Sequence, residues 1–277
     1  MFGIKRILTL TAVLISTVCI SAQDDLQSIF VEKFVNNSSK KDVTVRNLRQ
    51  EIISGLSGTN RLIVIDAGNY VGKALPKERR DRIKAIGNKF DYMLEGTLNS
   101  ITSKHVSNKN GSYYSATANF TLVLTDPHSG IEKVRKTYSS DATGGTDEEA
   151  ILGAVSNAGG LMRRFVEDNF KVEAIIKGLD VVDQKKNVVK SCYVSIGDDM
   201  GIEKGQIFEV FANIEVVGEP VRKKVAELKA DEVMSGTITH CSVKNGGAEI
   251  KKYFDEGITL TVVSRGRKQN ILSGFGL

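Results

Sequence analysis

The sequence contains no tryptophan, only three prolines, three cysteines and three histidines in 277 residues. With so little proline and no repeated or low-complexity segment, a proline-rich linker and a repeat array are excluded. Three cysteines cannot build a disulfide-dense scaffold, and none of them forms a Cys-x-x-Cys motif for a metal or a redox couple. Past residue 22 no apolar run approaches the roughly 20 residues that a membrane-crossing helix needs. Catalytic motifs are equally scarce: there is no Gly-x-Ser-x-Gly elbow, no His-Glu-x-x-His pair and no Gly-Lys-Ser/Thr phosphate loop. Gly68 to Lys73 comes nearest to the last, but its spacing is wrong and Ala74 follows, so it reads as a loop after a strand. His105, His128 and His240 fall in a hairpin loop, a turn and a strand, each without a sequence-local partner, and read as surface or turn residues. Asp198-Asp199 is the most visible acidic cluster and lacks calcium-loop spacing, so it reads as a solvated turn. No catalytic residue, cofactor or metal site is expected.

What is there begins with a leader. Lys5 and Arg6 form a short basic region, Ile7 to Ile20 an apolar run, and Ser21-Ala22 the small residues before Gln23. This pattern predicts a signal peptide over residues 1–22 and a mature chain in the periplasmic space, with outer-membrane or peripheral membrane association left open. Cys19 is a poor lipidation site because Val18 stands where a small residue is expected. Cleavage removes Lys5 and Arg6 and no acid, which lowers the net charge of +5 by two. That balance is too mild to argue for nucleic acid.

Along the mature chain the periodicity changes twice. Leu26 to Phe34 reads as a strand, and Asp42 as the cap of a helix with Val45, Leu48, Ile52 and Leu56 on one face, ended by Gly58. Leu62 to Ile65 is a continuous apolar run, the pattern of a strand buried on both faces, and Pro76 opens a second helix with Ile83, Ile86 and Phe90 on one stripe. Period 2 then takes over at Tyr92, Leu94 and Leu98 and again from Ala116 to Leu124. A turn over Asp126–Gly130 leads to a third strand, Glu132 to Tyr138. The segments 103–112 and 139–145 read as short polar connections, too short for inserted membrane hairpins, so no pore is expected. Thr146 and Glu149 form a capping box for a long third helix through Ile151, Val155, Ala158, Met162 and Phe165. Its Gly153, Gly159 and Gly160 imply close approach to another backbone.

After Phe170 short strands between glycine turns predict a small barrel: around Cys192 to Ile196, then Ile207–Phe211, Glu232–Thr239 and Ile258–Val263. The expected architecture is an α/β (α+β) domain with a mixed sheet and three helices over 23–171, a small all-β domain over 172–264, and a disordered tail over 265–277. Cys192 and Cys241, the only cysteines left after cleavage, lie on strands of the second domain. An exported setting favours a disulfide between them, and two buried thiols are the alternative.

The stretches Tyr92-Met93-Leu94-Glu95-Gly96-Thr97-Leu98 and Val123-Leu124-Thr125-Asp126-Pro127-His128-Ser129-Gly130 resemble an apolar Tyr-x-x-x-Gly strand and an Asp-x-x-Thr-Gly turn of the CsgG family. That family includes the curli secretion channel and is similar in fold to penicillin-binding-protein activator lipoproteins. Lys89-Phe90-Asp91 and Ser129 depart from its pattern. Val194 to Gly197 and Gly201 to Val210, continued by Ala226 to Gly247, resemble the SH3-like barrel of the flagellar accessory protein FlgT. The resemblances imply a non-enzymatic accessory or scaffold protein in assembly or secretion of an envelope structure. Its partners would be envelope or secretion proteins and further copies of itself, with no small-molecule substrate. A peptidoglycan-synthase activator and a hydrolase using carboxylates assembled by the fold remain as alternatives.

Overall fold

The computed structural model describes residues 26–69, 77–109 and 111–266, so the leader, Pro76 and residues 267–277 of the expected tail lie outside the described residues, while Arg265, expected to begin that tail, ends a strand. Buried apolar side chains fall into two large clusters, and membership passes from one to the other between Phe170 and Val172.

The first cluster lies under a mixed sheet. Its elements are β1 (Gln27–Val31), β2 (Val35–Asn36), α1 (Asp42–Ser57), β3 (Leu62–Asp66), α2 (Arg79–Gly87), β4 (Tyr92–Asn108), β5 (Gly111–Asp126), β6 (Ile131–Gly144), α3 (Asp147–Ser156) and α4 (Met162–Asn169). β1 pairs in parallel with β3 and β4, and β4, β5 and β6 continue antiparallel, giving the order β3-β1-β4-β5-β6 with β2 beside β4. Val45, Leu48, Ile52 and Leu56 of α1 are buried as their spacing predicts. Asp42 is not the cap, however. Lys41 holds that position, and Asp42 sits in the first turn, where its carboxylate complements the helix dipole and accepts a hydrogen bond from Asn36.

Other expectations need correction. β3 is an edge strand rather than one buried on both faces, and Ile63 is 46% exposed. The supposed connections 103–112 and 139–145 are mostly strand: β4 and β5 stay in register out to Asn108 and Gly111, and β6 runs to Gly144. Polar residues there suit a ribbon with both faces wet, which periodicity cannot separate from a loop. His105 therefore stands on β4, edge-on to Tyr114 at 5.0 Å, and not in a loop. The long third helix is two helices, α3 and α4, joined by a 3₁₀ turn at Gly159–Leu161, so four helices precede Phe170 instead of three.

The capping box at Thr146 and Glu149 is present. Gly159 makes a close backbone approach to α1: a Cβ on it would stand 2.9 Å from the Glu51 carbonyl oxygen, and a Cβ on Gly55 would stand 2.2 Å from the Gly159 carbonyl oxygen. Gly153 meets only the Ala142 methyl group, and Gly160 faces open space. Gly55→Ala should therefore cost about 1–3 kcal/mol through overpacking, against a helix propensity that favours alanine by about 1 kcal/mol. A lower urea midpoint with unchanged slope would register it, and an unchanged midpoint would show that the helices part freely.

The second cluster fills a closed barrel ordered β10-β13-β12-β11-β14-β7. Its elements are β7 (Glu173–Leu179), the short pair β8 (Val182–Asp183) and β9 (Val188–Val189), β10 (Ser191–Val194), β11 (Ile207–Val216), β12 (Glu219–Ser235), β13 (Ile238–Asn245), α5 (Gly247–Asp255) and β14 (Leu260–Arg265). The predicted strand Glu232–Thr239 is split by a turn at Gly236-Thr237 into the end of β12 and the start of β13. This part is not all-β, because α5 plugs the barrel with Ile250 and Tyr253. Asp198–Met200 is a short 3₁₀ turn, in keeping with its reading as a turn.

Candidate binding site

The two cores meet around Arg61, which enters β3 from Asn60, a residue in left-handed conformation at φ 55°. Arg61 is buried; its Nε donates to the Met200 carbonyl at 3.2 Å, and its Nη2 to the Gly201 carbonyl at 3.3 Å and Gln206 Oε1 at 3.1 Å. Gln206 in turn donates to the Arg265 carbonyl at 2.6 Å. Gly201 lies at φ 62°, and a Cβ there would stand 1.9 Å from the Thr59 carbonyl oxygen, so only glycine lets the backbones touch. Arg163 and Glu203 add an ion pair across the same junction.

Beside this clasp opens a cleft of about 290 Å³, lined by Gln27, Arg61, Lys171, Ser195 and Thr237 among others. Several of its polar groups serve the fold. Lys171 donates to the Glu167 carbonyl at 2.8 Å, and burial pushes its ammonium pKa down. Ser195 exchanges hydrogen bonds with the Ile175 backbone.

Six carboxylates are held below their usual range by hydrogen bonds and nearby cations. Burial alone would raise Asp66, but the Arg49 guanidinium and the Gly68 N–H outweigh it and hold the carboxyl below its usual range. Asp91, held by the N–H and hydroxyl of Ser28 at 2.7 Å each, is lowered too, as are Asp126, Glu132, Asp180 and Glu227. A glycosidase-type acid needs the opposite, a carboxyl raised toward neutral pH.

His240, which has no sequence-local partner, meets one 60 residues away: its Nε2 lies 3.1 Å from Asp180 Oδ2, which also accepts from Ser191 Oγ at 2.6 Å. The Ser191 hydroxyl is the main cause that lowers Asp180, with His240 second. Serine and histidine both bond to the carboxylate, so histidine does not stand between them as a nucleophilic triad requires. No local spacing signals this cluster, because the barrel alone brings β10 and β13 together. His128 sits in the turn after β5, as expected.

Cys192 and Cys241 are direct partners in the β10–β13 ladder, fully buried, and both are free thiols. Burial pushes Cys192 up to about 12 and raises Cys241 as well. Against an unfolded thiol near about 8.5, the raised folded value means that their contribution to stability is complete below that pH and is lost as pH climbs toward about 12. The reduced wild-type protein should accordingly lose more stability between pH 9 and 11 than a C192A/C241A variant, which can be followed by denaturant melts at each pH. Equal losses would show that the thiols do not titrate through burial.

One feature of the barrel projects from it. β14 pairs with β11 only from Ile207 to Ala212, and beyond it Asn213–Val216 pairs only with Glu219–Arg222 of β12, so residues 213–222 form a two-stranded arm. Ala212 is fully buried, Ile214 packs partly on the core, and Val216 continues the same face outward at 45% exposure beside Val221 at 40%. The arm turns at Val217-Gly218, both with positive φ, 55° and 82°. Such a tight hairpin turn favours Asn-Gly. Valine there is β-branched, strained and 99% exposed. Val217→Asn should stabilise the isolated protein by about 1 kcal/mol by relieving the left-handed strain, a gain readable in Tm. An unchanged or lower Tm would place the turn's strain elsewhere. Val-Val-Gly-Glu has the glycine of a hairpin turn but valine where asparagine, aspartate or glycine is usual, which is why the strand pattern reads as ending at Phe211.

No family model and no curated protein matches the chain. Solved structures similar to it include a PelC dodecamer from Paraburkholderia phytofirmans, at 14% identity over 50% of this chain and 86% of that one, TM-score 0.34. Lipoprotein GNA1162 from Neisseria meningitidis shares 17% identity over 48% and 94%, TM-score 0.33. The LpoB C-terminal domain from Escherichia coli shares 12% over 41% and 81%, TM-score 0.30.

Proposed function

We propose that this protein is a non-enzymatic accessory of the bacterial envelope that works by binding other proteins, with its projecting arm as the docking element. The observation that carries the reading is Val217: an apolar side chain, fully exposed, at a backbone position that costs stability. Covering the side chain would remove its exposed apolar surface, and the strained backbone that presents it marks the turn as a functional position. In this reading the sheet and its helices form the scaffold, and the barrel acts as an SH3-like binding module. The leader pattern supports a periplasmic mature chain, and among the described residues no helix is long and apolar enough to cross a membrane. The lowered carboxylates favour binding over acid-base hydrolysis.

The test is assembly size in gently solubilised envelope extract. Wild type should run in a species larger than its monomer, and a V216N/V217N variant, folded by circular dichroism, should run smaller. The same size for both would overturn the arm as the docking element.

A further inference from the structure

We propose that the cleft beside Arg61 binds a small carboxylate monoanion, the free carboxyl end of a short peptide or a free organic acid, held across the two cores. Three separate stretches of chain build its wall. Gln27 opens β1 opposite Leu62 of β3, and so next to Arg61. Lys171 and Glu173 belong to the link between the cores, and Ser195 and Thr237 to the barrel. At about 290 Å³ the cleft lies at the low end of the roughly 300–1,000 Å³ of ligand sites, equal to roughly ten waters of liquid volume. A ligand no larger than a short peptide fits.

The polar groups that the fold leaves over set the chemistry. The Gln27 amide and the Thr237 hydroxyl have no hydrogen-bond partner among the described residues. Lys171 gives one N–H of its ammonium to the Glu167 carbonyl and joins no ion pair among the described residues. Burial, with the Arg61 charge adding to it, disfavours that ammonium, and an anion seated against it would offset both. The other charges of the wall are engaged: Arg222 donates to Glu173 Oε1 at 3.1 Å, and Arg61 bonds Met200, Gly201 and Gln206. The cleft therefore offers one uncommitted ammonium beside two neutral donors, a set that suits a single negative charge. Phosphate carries more than one at neutral pH and would meet the Glu173 carboxylate with too little positive charge to offset it. Phe170 and Ile196, both nearly buried, supply apolar wall for the carbon next to the carboxyl group. A ligand bonded to Gln27 on one side and Thr237 on the other bridges the cores, so its binding stiffens the junction that Arg61 clasps.

Proton–nitrogen correlation NMR of the purified mature chain tests this, with acetyl-Ala-Ala, its carboxy-terminal amide, propionate and inorganic phosphate as probes. Acetyl-Ala-Ala should move the Gly236 and Thr237 amide signals with a Kd of about 1 mM or tighter, and its amide should bind about tenfold or more weakly. K171M keeps the stem and removes the charge, so it should weaken the acid about tenfold, whereas K171R should keep most of the affinity. T237V lies on an exposed turn, where the change leaves both cores intact, and should weaken the acid about threefold. Propionate moving the same signals assigns the site to free organic acids, and propionate failing where acetyl-Ala-Ala binds assigns it to peptide ends; both support a carboxylate. Equal affinity for acid and amide would overturn the proposal. So would affinity unchanged in both K171M and T237V, phosphate binding as tightly as the acid, or no shift at these amides with any probe up to about 10 mM. V216N/V217N should bind as wild type does, so the fate of this site and that of the arm are read separately.

Discussion

Arg61→Ala should lower the unfolding free energy by about 3–5 kcal/mol, the range expected when a buried charged donor is removed and its acceptors are left unpaired. Three acceptors lose their partner together: the carbonyls of Met200 and Gly201 and the side-chain oxygen of Gln206. All three belong to the second half of the chain, whereas Arg61 belongs to the first, at the entry to β3, so the loss falls on the junction. Arg61→Lys should recover little, since one ammonium cannot reproduce the planar fork that reaches two backbone oxygens and an amide at once. Urea unfolding should show a lower midpoint and, if the halves come apart first, a second transition. A variant with the wild-type midpoint would mean that the clasp contributes nothing to holding the cores together.

The second large effect is expected at Phe165→Ala, again about 3–5 kcal/mol, through the transfer and cavity terms of a lost buried ring. Phe165 is fully buried on α4 and meets Phe170 edge-on at 6.2 Å. Phe170 meets Tyr92 at 5.1 Å with planes 89° apart. The chain of rings ties the last helix of the first core to the start of β4, so the cavity cannot close without moving both. Leu152→Ala on the exposed side of α3 is the matched control, with a change within about 0.5 kcal/mol. A drop below about 1 kcal/mol for Phe165→Ala would show that this layer repacks.

Those effects rest on a core that is largely legible in the amino-acid pattern. The stripe Val45, Leu48, Ile52, Leu56 and the alternation from Ala116 to Leu124 are buried where their periods place them, and Thr146 with Glu149 caps α3 as its spacing predicts. Periodicity fails where tertiary context decides. Leu62 to Ile65 looks like a central strand but ends the sheet, because nothing in the run encodes how many neighbours a strand will find. The helix after Thr146 breaks at Gly159-Gly160 because α1 passes there backbone to backbone. α5 is hidden behind a Gly-Gly pair that reads as a turn, although Ile250 and Tyr253 keep helical spacing.

The candidate site is less legible. Arg61, Gln206 and Gly201 are 140 or more residues apart in two of their pairings and carry no motif. The same holds for Asp180 and His240, which the barrel alone brings together. The facing of Cys192 and Cys241 follows from neither spacing nor count, and depends on the register of β10 on β13. The arm escapes pattern reading because valine holds the first of its two positive-φ turn positions, where asparagine, aspartate or glycine would signal a hairpin.

The central claim, that the molecule works through its arm, is met most directly by site-specific photocrosslinking in intact cells. A photoreactive residue in place of Val217 should give a discrete protein adduct, and the same residue in place of exposed Glu256, next to α5 and away from the arm, should not. Adducts of equal yield at the two positions, or none at Val217, would contradict the account.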